Sequence, residues 1–156
     1  MSQLGPLLSI DPGVSGGWAL ISVDGTATAG DLPVAGGHLD PATFSALIRA
    51  SQPRAAILEA VASRPGQGVA SVFKFGRAYG TIIGTLAALG IPTHTVAPTV
   101  WKKHHRIGPD KDAARALALR LWPAIGCLSR VKDHNRAEAL LIGQFALDVL
   151  PGIGQR

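Results

Sequence analysis

Three well-separated segments of this chain each end or begin in acidic residues that could act together. Asp11 closes LLSID and Glu59 closes AAILE, while Asp133 and Glu138 lie at the head of DHNRAEALLIGQFALDVL. Only ten Asp and Glu occur in 156 residues, and just two of them are Glu. Both Glu stand beside apolar runs, where a charge is costly unless it is paired. Carboxylates gathered from distant segments repel and raise one another's pKa. A divalent cation relieves that repulsion, and hard oxygen ligands suit Mg²⁺ or Mn²⁺. The pattern predicts a metal-dependent site. In a basic protein, nucleic acid is the first substrate to consider.

Each acid has a plainer alternative. Asp11 sits in IDPGVSGGWALI, where Gly13, Gly16 and Gly17 allow a tight turn that leaves the carboxylate open. An Asp-Pro-Gly turn that merely stops a strand is the alternative. Glu is a poor strand residue, so Glu59 needs either a metal or a salt bridge to Arg54 or Arg64. In KDHNRAEALL, residues three or four apart share a helix face, so Glu138 shares one with His134 and Asn135. Three readings stand: Glu138 with His134 as ligands, Glu138 with Asp133 as ligands, or Asp133 as an N-cap only. An exposed Glu138 paired with Lys132 or Arg136 is the plain alternative.

Two basic stretches flank these acids. SRPGQGVASVFKFGRAYG carries Arg64, Gln67, Lys74 and Arg77 among Phe73, Phe75 and Tyr79, and it follows Glu59 directly. Basic groups hold phosphates, and aromatics stack on or wedge between bases. The alternative for Phe73 and Phe75 is core packing. PTVWKKHHRIGPDKDAAR carries Lys102, Lys103, Arg106 and Lys111 around Trp101. Pro98, Gly108 and Pro109 suggest that much of it is a phosphate-binding loop. His104 and His105 lack nearby cysteines and are a weak zinc signal.

The elements that must position these residues follow from the pattern. LLSID reads as a buried strand. WALISV and TATAGDLPV continue an antiparallel meander, with Asp24-Gly25 as the hairpin signal. DPATFSALIRAS reads as a helix with Asp40 as N-cap and Pro41 at its first position. RAAILEA reads as a central parallel strand, residues 69–89 as a long helix, and IPTHTV as a fifth strand. KDAARALALRLW and residues 134–150 complete the set as helices. Gly76, Gly80 and Gly84 leave one face of the long helix bare, suited to close approach by a second subunit or by the sheet. The order predicts an α/β fold: a mixed five-stranded sheet with helices on both faces, as in a ribonuclease H-like domain. Sites on such sheets form at strand ends where the order switches. Neighbouring first and fourth strands would set Asp11 beside Glu59.

Residues 1–156 are expected to form one domain. A composition 47% hydrophobic and 16% charged suits a packed core rather than disorder. No run of about 18 apolar residues predicts a membrane span, and no signal-like leader is visible. The lone Cys127 fits a reducing, cytoplasmic compartment. Residues 1–48 hold four acids and no Lys or Arg, whereas residues 49–156 hold fifteen Lys and Arg against six acids, a net of +9. That asymmetry predicts a basic face on a neutral body, with a solvated surface as the alternative.

Taken together, IDPGVSGGWALI, ILEAVASRPGQGVASVFKFGRAYG, APTVWKK, DKDAARALALRLWP and KDHNRAEALLI resemble the RuvC-type Holliday-junction resolvases, especially the phage-encoded branch. The similarity runs from about residue 7 to residue 147. The resemblance implies a ribonuclease H-like fold, a homodimer, Mg²⁺ or Mn²⁺, and symmetric nicking of branched DNA. It matches Asp11 to the first-strand carboxylate, Glu59 to the fourth-strand carboxylate and Glu138 to the last-helix acid. Bacterial members usually carry two acids three apart on that helix, and here the earlier position is Asn135. Asp133 or His134 is then expected to supply the missing group. Phe73 or Phe75 is the candidate junction wedge, and Lys111 the candidate contact to the scissile phosphate. The implied chemistry is phosphodiester hydrolysis by two ions about 3.5–4 Å apart. A non-catalytic DNA-binding module on the same fold is the rival reading, kept open by Asn135. An actin-like ATP-using enzyme is a third, for which the chain is short.

Overall fold

The computed structural model describes residues 4–153. Its main sheet is built around β1 (Leu7–Asp11), every residue of which is buried. β1 pairs antiparallel with β2 (Gly17–Ile21), which pairs with β3 (Ala27–Asp31). A small hairpin, β4 (Val34–Ala35) with β5 (His38–Leu39), follows outside the main sheet. The meander is thus as expected, except that its third strand ends at Asp31 and residues 34–39 form that separate hairpin.

α1 (Pro41–Ser51) starts at Asp40, whose carboxylate accepts from the Ala42 amide at 3.1 Å. Such a cap contributes about 1 kcal/mol. The chain returns as β6 (Ala55–Glu59) and runs parallel to β1, with Leu7 opposite Ala55 and Ile10 opposite Leu58. α2 (Val69–Ala88) leads to β7 (Thr93–Val96), parallel to β6 at the sheet edge. The strand order is β3-β2-β1-β6-β7. Next come α3 (Pro98–His104), α4 (Lys111–Leu121) and, after two short 3₁₀ turns, α5 (His134–Val149).

Apolar residues cover both faces of the sheet. Leu8, Ile10, Ala56 and Leu58 pack with Phe44 and Ile48 of α1 and with Ile82 and Leu86 of α2. Leu7, Ala55 and Ile57 pack on the other face with Trp101 of α3, Ala114 and Ala118 of α4, and most of α5. Side chains alternate between faces along a strand. Asp11 and Glu59 therefore share the parity of Leu7 and Ala55 and turn toward the α3 and α5 side. Among the described residues, no helix is long and apolar enough to cross a membrane.

α3 corrects the loop reading of residues 98–104. Pro98 opens it at a first-turn position, where its missing amide costs nothing, and Trp101 anchors it in the core. The glycine face of α2 is not covered by the sheet. A Cβ on Gly76, Gly80 or Gly84 would meet nothing within 4 Å. The bare face is open, and the intrachain alternative is set aside.

Candidate active site

The register of β1 and β6 sets Asp11 and Glu59 at adjacent strand ends, one residue past the Ile10–Leu58 pair. β1 turns sharply after Asp11. Gly13 takes φ +133°, a conformation that L side chains rarely adopt, and the Gly16 amide closes the turn on the Gly13 carbonyl at 3.1 Å. α5 then crosses close above. A Cβ on Gly17 would lie 2.6 Å from the Asn135 carbonyl oxygen, so only glycine lets the start of α5 settle there. Asn135 Nδ2 donates to the Ser15 carbonyl and ties the helix to the turn. That docking brings Glu138, one helical turn further on, over Asp11.

Asp11 is only 8% exposed. Its carboxyl is held well above the usual carboxylate range, first by burial, then by the negative charges of Glu138 and Glu59 and by a hydrogen bond with Glu138. Glu59 is also raised, chiefly by burial, although a hydrogen bond from Trp101 opposes the shift. Trp101 Nε1 donates to Glu59 Oε2 at 2.7 Å. The next residue, Lys102, sets its Nζ 3.7 Å from Glu138 Oε1 and 5.3 Å from the centre of the Trp101 ring. Successive residues of α3 thus hold two of the three acids. The salt-bridge alternatives are not realised: Arg54 donates instead to the Gly5 and Ile153 carbonyls, and Arg136 pairs with Asp31 at 2.8 Å.

The three acids differ sharply from Asp133. Its carboxylate accepts from the Arg130 amide at 2.8 Å and from the Arg130 guanidinium at 2.7 Å, with Arg136 at 3.8 Å. These contacts hold its pKa below the usual range. Asp133 does not line the cleft with Asp11, and its side chain does not cap α5 either. The ligand and cap readings are both corrected: the acid belongs to a 3₁₀ turn braced by two arginines. His134 faces its own turn, with Nδ1 3.4 Å from the Val131 carbonyl oxygen, and it is likewise absent from the cleft. Of the three candidates for a fourth group, only Asn135 lines it.

The cleft, ≈ 580 Å³, runs from Asp11, Glu59 and Glu138 along the Gly13–Gly16 turn to the first half of α2. Arg64, Gln67, Lys74 and Phe75 line it, joined by Ser71 and Tyr79. Gln67 Oε1 accepts from the Arg64 amide at 2.6 Å and shapes the loop after β6. Phe73 and Arg77 do not line it. Phe73 is 73% exposed, and Arg77 Nη1 reaches His38 Nε2 at 3.3 Å. Lys103 and Arg106 are exposed at the end of α3, and Lys111 is exposed as the first residue of α4. None of those three, nor Lys102, lines the cleft.

Three carboxylates with mutual repulsion are a hard-oxygen donor set of the kind Mg²⁺ and Mn²⁺ prefer. As the side chains stand, no group of three His, Cys, Asp or Glu among the described residues is gathered tightly enough to hold an ion. The chemistry of the set fits a divalent cation. Closing around one requires the carboxylates to reorient.

The sheet order and the crossing last helix define a ribonuclease H-like fold. The chain is similar over 96% of its length, and 97% of the other, to Thermus thermophilus RuvC in complex with a Holliday junction substrate, with TM-score 0.69 and 16% identity. A second Thermus thermophilus RuvC structure matches at TM-score 0.61 and 18% identity, covering 88% of this chain and 90% of that one. The yeast mitochondrial Holliday junction resolvase Ydc2 matches at TM-score 0.52 and 16% identity, over 91% and 78%. No protein-family model and no curated protein matches the sequence.

Proposed function

We propose that this chain is a metal-dependent, structure-selective DNA endonuclease that resolves four-way junctions by paired nicks. One observation carries the reading: buried Asp11 lines one cleft with Glu59 and Glu138, and Arg64 and Lys74 line the same cleft. The fold shared nearly end to end with a junction-bound RuvC supports it.

Asp11, Glu59 and Glu138 would hold two Mg²⁺ or Mn²⁺ ions, which supply an activated water and neutralise charge on the leaving oxygen. The chain's own residues do the rest. Burial of Asp11 excludes bulk water from one side of the site. Asn135 fixes the height of α5, and therefore of Glu138, above β1. Arg64 and Lys74 offer positive charge to the phosphates beside the scissile bond. Phe75 and Tyr79 present aromatic surface to bases at the cleft wall. Lys102 pairs with Glu138, and Lys103 and Arg106 add exposed positive charge at the end of α3.

A homodimer would give two such sites for the two strands of a junction. Its proposed surface is the open face of α2, where Val69, Phe73, Gly76, Gly80 and Ile83 recur at alternating four- and three-residue steps. Val69 is 87% exposed and Phe73 73%. That spacing forms one continuous seam on a helix, and Phe73 lies on it.

The second reading, a binding module without cleavage, is favoured by Asn135 where a further acid would complete the site. Cleavage of a synthetic four-way junction in Mg²⁺ or Mn²⁺ decides between them: paired nicks support the nuclease, and binding without cutting supports the module.

A further inference from the structure

Trp101 is fully buried and is the largest such side chain among the described residues. Aromatic bulk alone would explain a tryptophan in the core. It does not explain why the one polar atom of that ring is spent on an acid of the site. Buried indole N–H groups need a partner, and backbone carbonyls are the commonest supply. Here Nε1 donates instead to Glu59 Oε2 at 2.7 Å. Glu59 is the last residue of β6, and Trp101 lies on α3, the helix that follows the neighbouring strand β7. The bond therefore clamps the carboxylate between two rigid elements.

We propose that Trp101 is a positioning residue that fixes the Glu59 carboxylate through one oxygen and presents the other, Oε1, as a single-oxygen metal ligand. This deepens the nuclease reading and rests on it. A glutamate free at its χ angles can swing or chelate with both oxygens. One whose Oε2 is already engaged by the indole N–H presents Oε1 as its free oxygen. Groups that orient a ligating side chain in this way typically contribute about 10–100-fold to metal affinity or activity. Trp101 also carries the stem of α3, so the same ring sets where Lys102 meets Glu138.

The test is Trp101→Phe, which keeps an aromatic ring in the core and removes the donor. Three quantities are read: Mn²⁺ affinity of the DNA-free protein by electron paramagnetic resonance, junction affinity in chelator, and the Mn²⁺ concentration giving half-maximal cleavage. We expect Mn²⁺ affinity to fall about 10–100-fold and the half-maximal Mn²⁺ to rise in step, with junction affinity in chelator unchanged. In a Glu59→Ala background the same substitution should leave Mn²⁺ affinity where it was, because Trp101 acts through Glu59; a merely structural role would lower it again. A further measurement needs no variant at position 101. The indole N–H resonance of ¹⁵N-labelled Trp101 should move on Mg²⁺ titration of the wild-type protein and lose that response in Glu59→Ala. Unchanged Mn²⁺ affinity in Trp101→Phe, or an indole resonance blind to Mg²⁺, overturns the proposal while leaving the nuclease reading intact. A wild-type protein that binds no Mn²⁺ and cuts no junction overturns both.

Discussion

Asp11→Asn should stabilise the metal-free protein while destroying its activity. Asp11 is 8% exposed, and burial and the negative charges of Glu138 and Glu59 raise its pKa. Its proton affinity is higher in the folded chain than in the unfolded one, so the folded state binds more protons at intermediate pH. Stability contributed by that proton is fully present below the unfolded value of 3.8. It is lost as pH rises through the folded value. As pH rises through that folded value the wild-type protein takes on the penalty of the buried charge, and the amide variant bears none of it. Each tenfold change in proton affinity on folding is worth about 1.4 kcal/mol. For a chain this size 1 kcal/mol moves Tm by about 2–4 °C, so each tenfold rise would read as about 3–6 °C, and the variant should melt higher than wild type at pH 7.5 in chelator. The gain should shrink toward zero near pH 4. Saturating Mg²⁺ should reverse the order, because a ligand at 100 times its Kd adds about 2.7 kcal/mol to the protein that binds it. Circular-dichroism melts across pH, with chelator and with Mg²⁺, read all of this. A variant no more stable than wild type at pH 7.5, or a difference independent of pH, would refute the crowded-carboxylate argument.

Asp133→Asn breaks the Arg130 and Arg136 brace and should cost about 1–3 kcal/mol of stability; Mn²⁺ affinity by calorimetry should stay unchanged, and a loss would return Asp133 to the site. Gly80→Arg places a side chain where a Cβ meets nothing within 4 Å, so the fold should hold while sedimentation shows the dimer lost. A dimer that survives places the interface elsewhere. Lys102→Ala with Lys103→Ala should weaken junction binding and lower the salt slope by about two, read by fluorescence anisotropy from low to high salt. An unchanged slope removes α3 from the DNA surface.

The sequence speaks most clearly where burial dictates composition. Leu7–Asp11 and Ala55–Glu59 are apolar runs ending in an acid because both strands lie between two helical layers. Their parallel pairing brings the acids together without any local signal. α1 was legible from Asp40 and Pro41 because caps are local chemistry. α3 was not, since Gly108 and Pro109 just beyond it favour a loop. Seven residues with one deeply buried ring form a helix only once the core holds Trp101. The same tertiary dependence hid the Trp101–Glu59 bond, which joins residues 42 apart. Asp133 is different. Arg130 three residues earlier is a visible partner at helical spacing, and it holds the Asp133 carboxylate. The glycine face of α2 was visible as a pattern, but its exposure depends on which side of the helix meets the sheet.

Cleavage of a synthetic four-way junction beside a linear duplex of the same sequence, in Mg²⁺, Mn²⁺ and chelator, bears most directly on the central claim. Paired, metal-dependent nicks confined to the junction are the predicted result. Tight junction binding with no cut in either metal would contradict it and make this a binding protein on a nuclease fold.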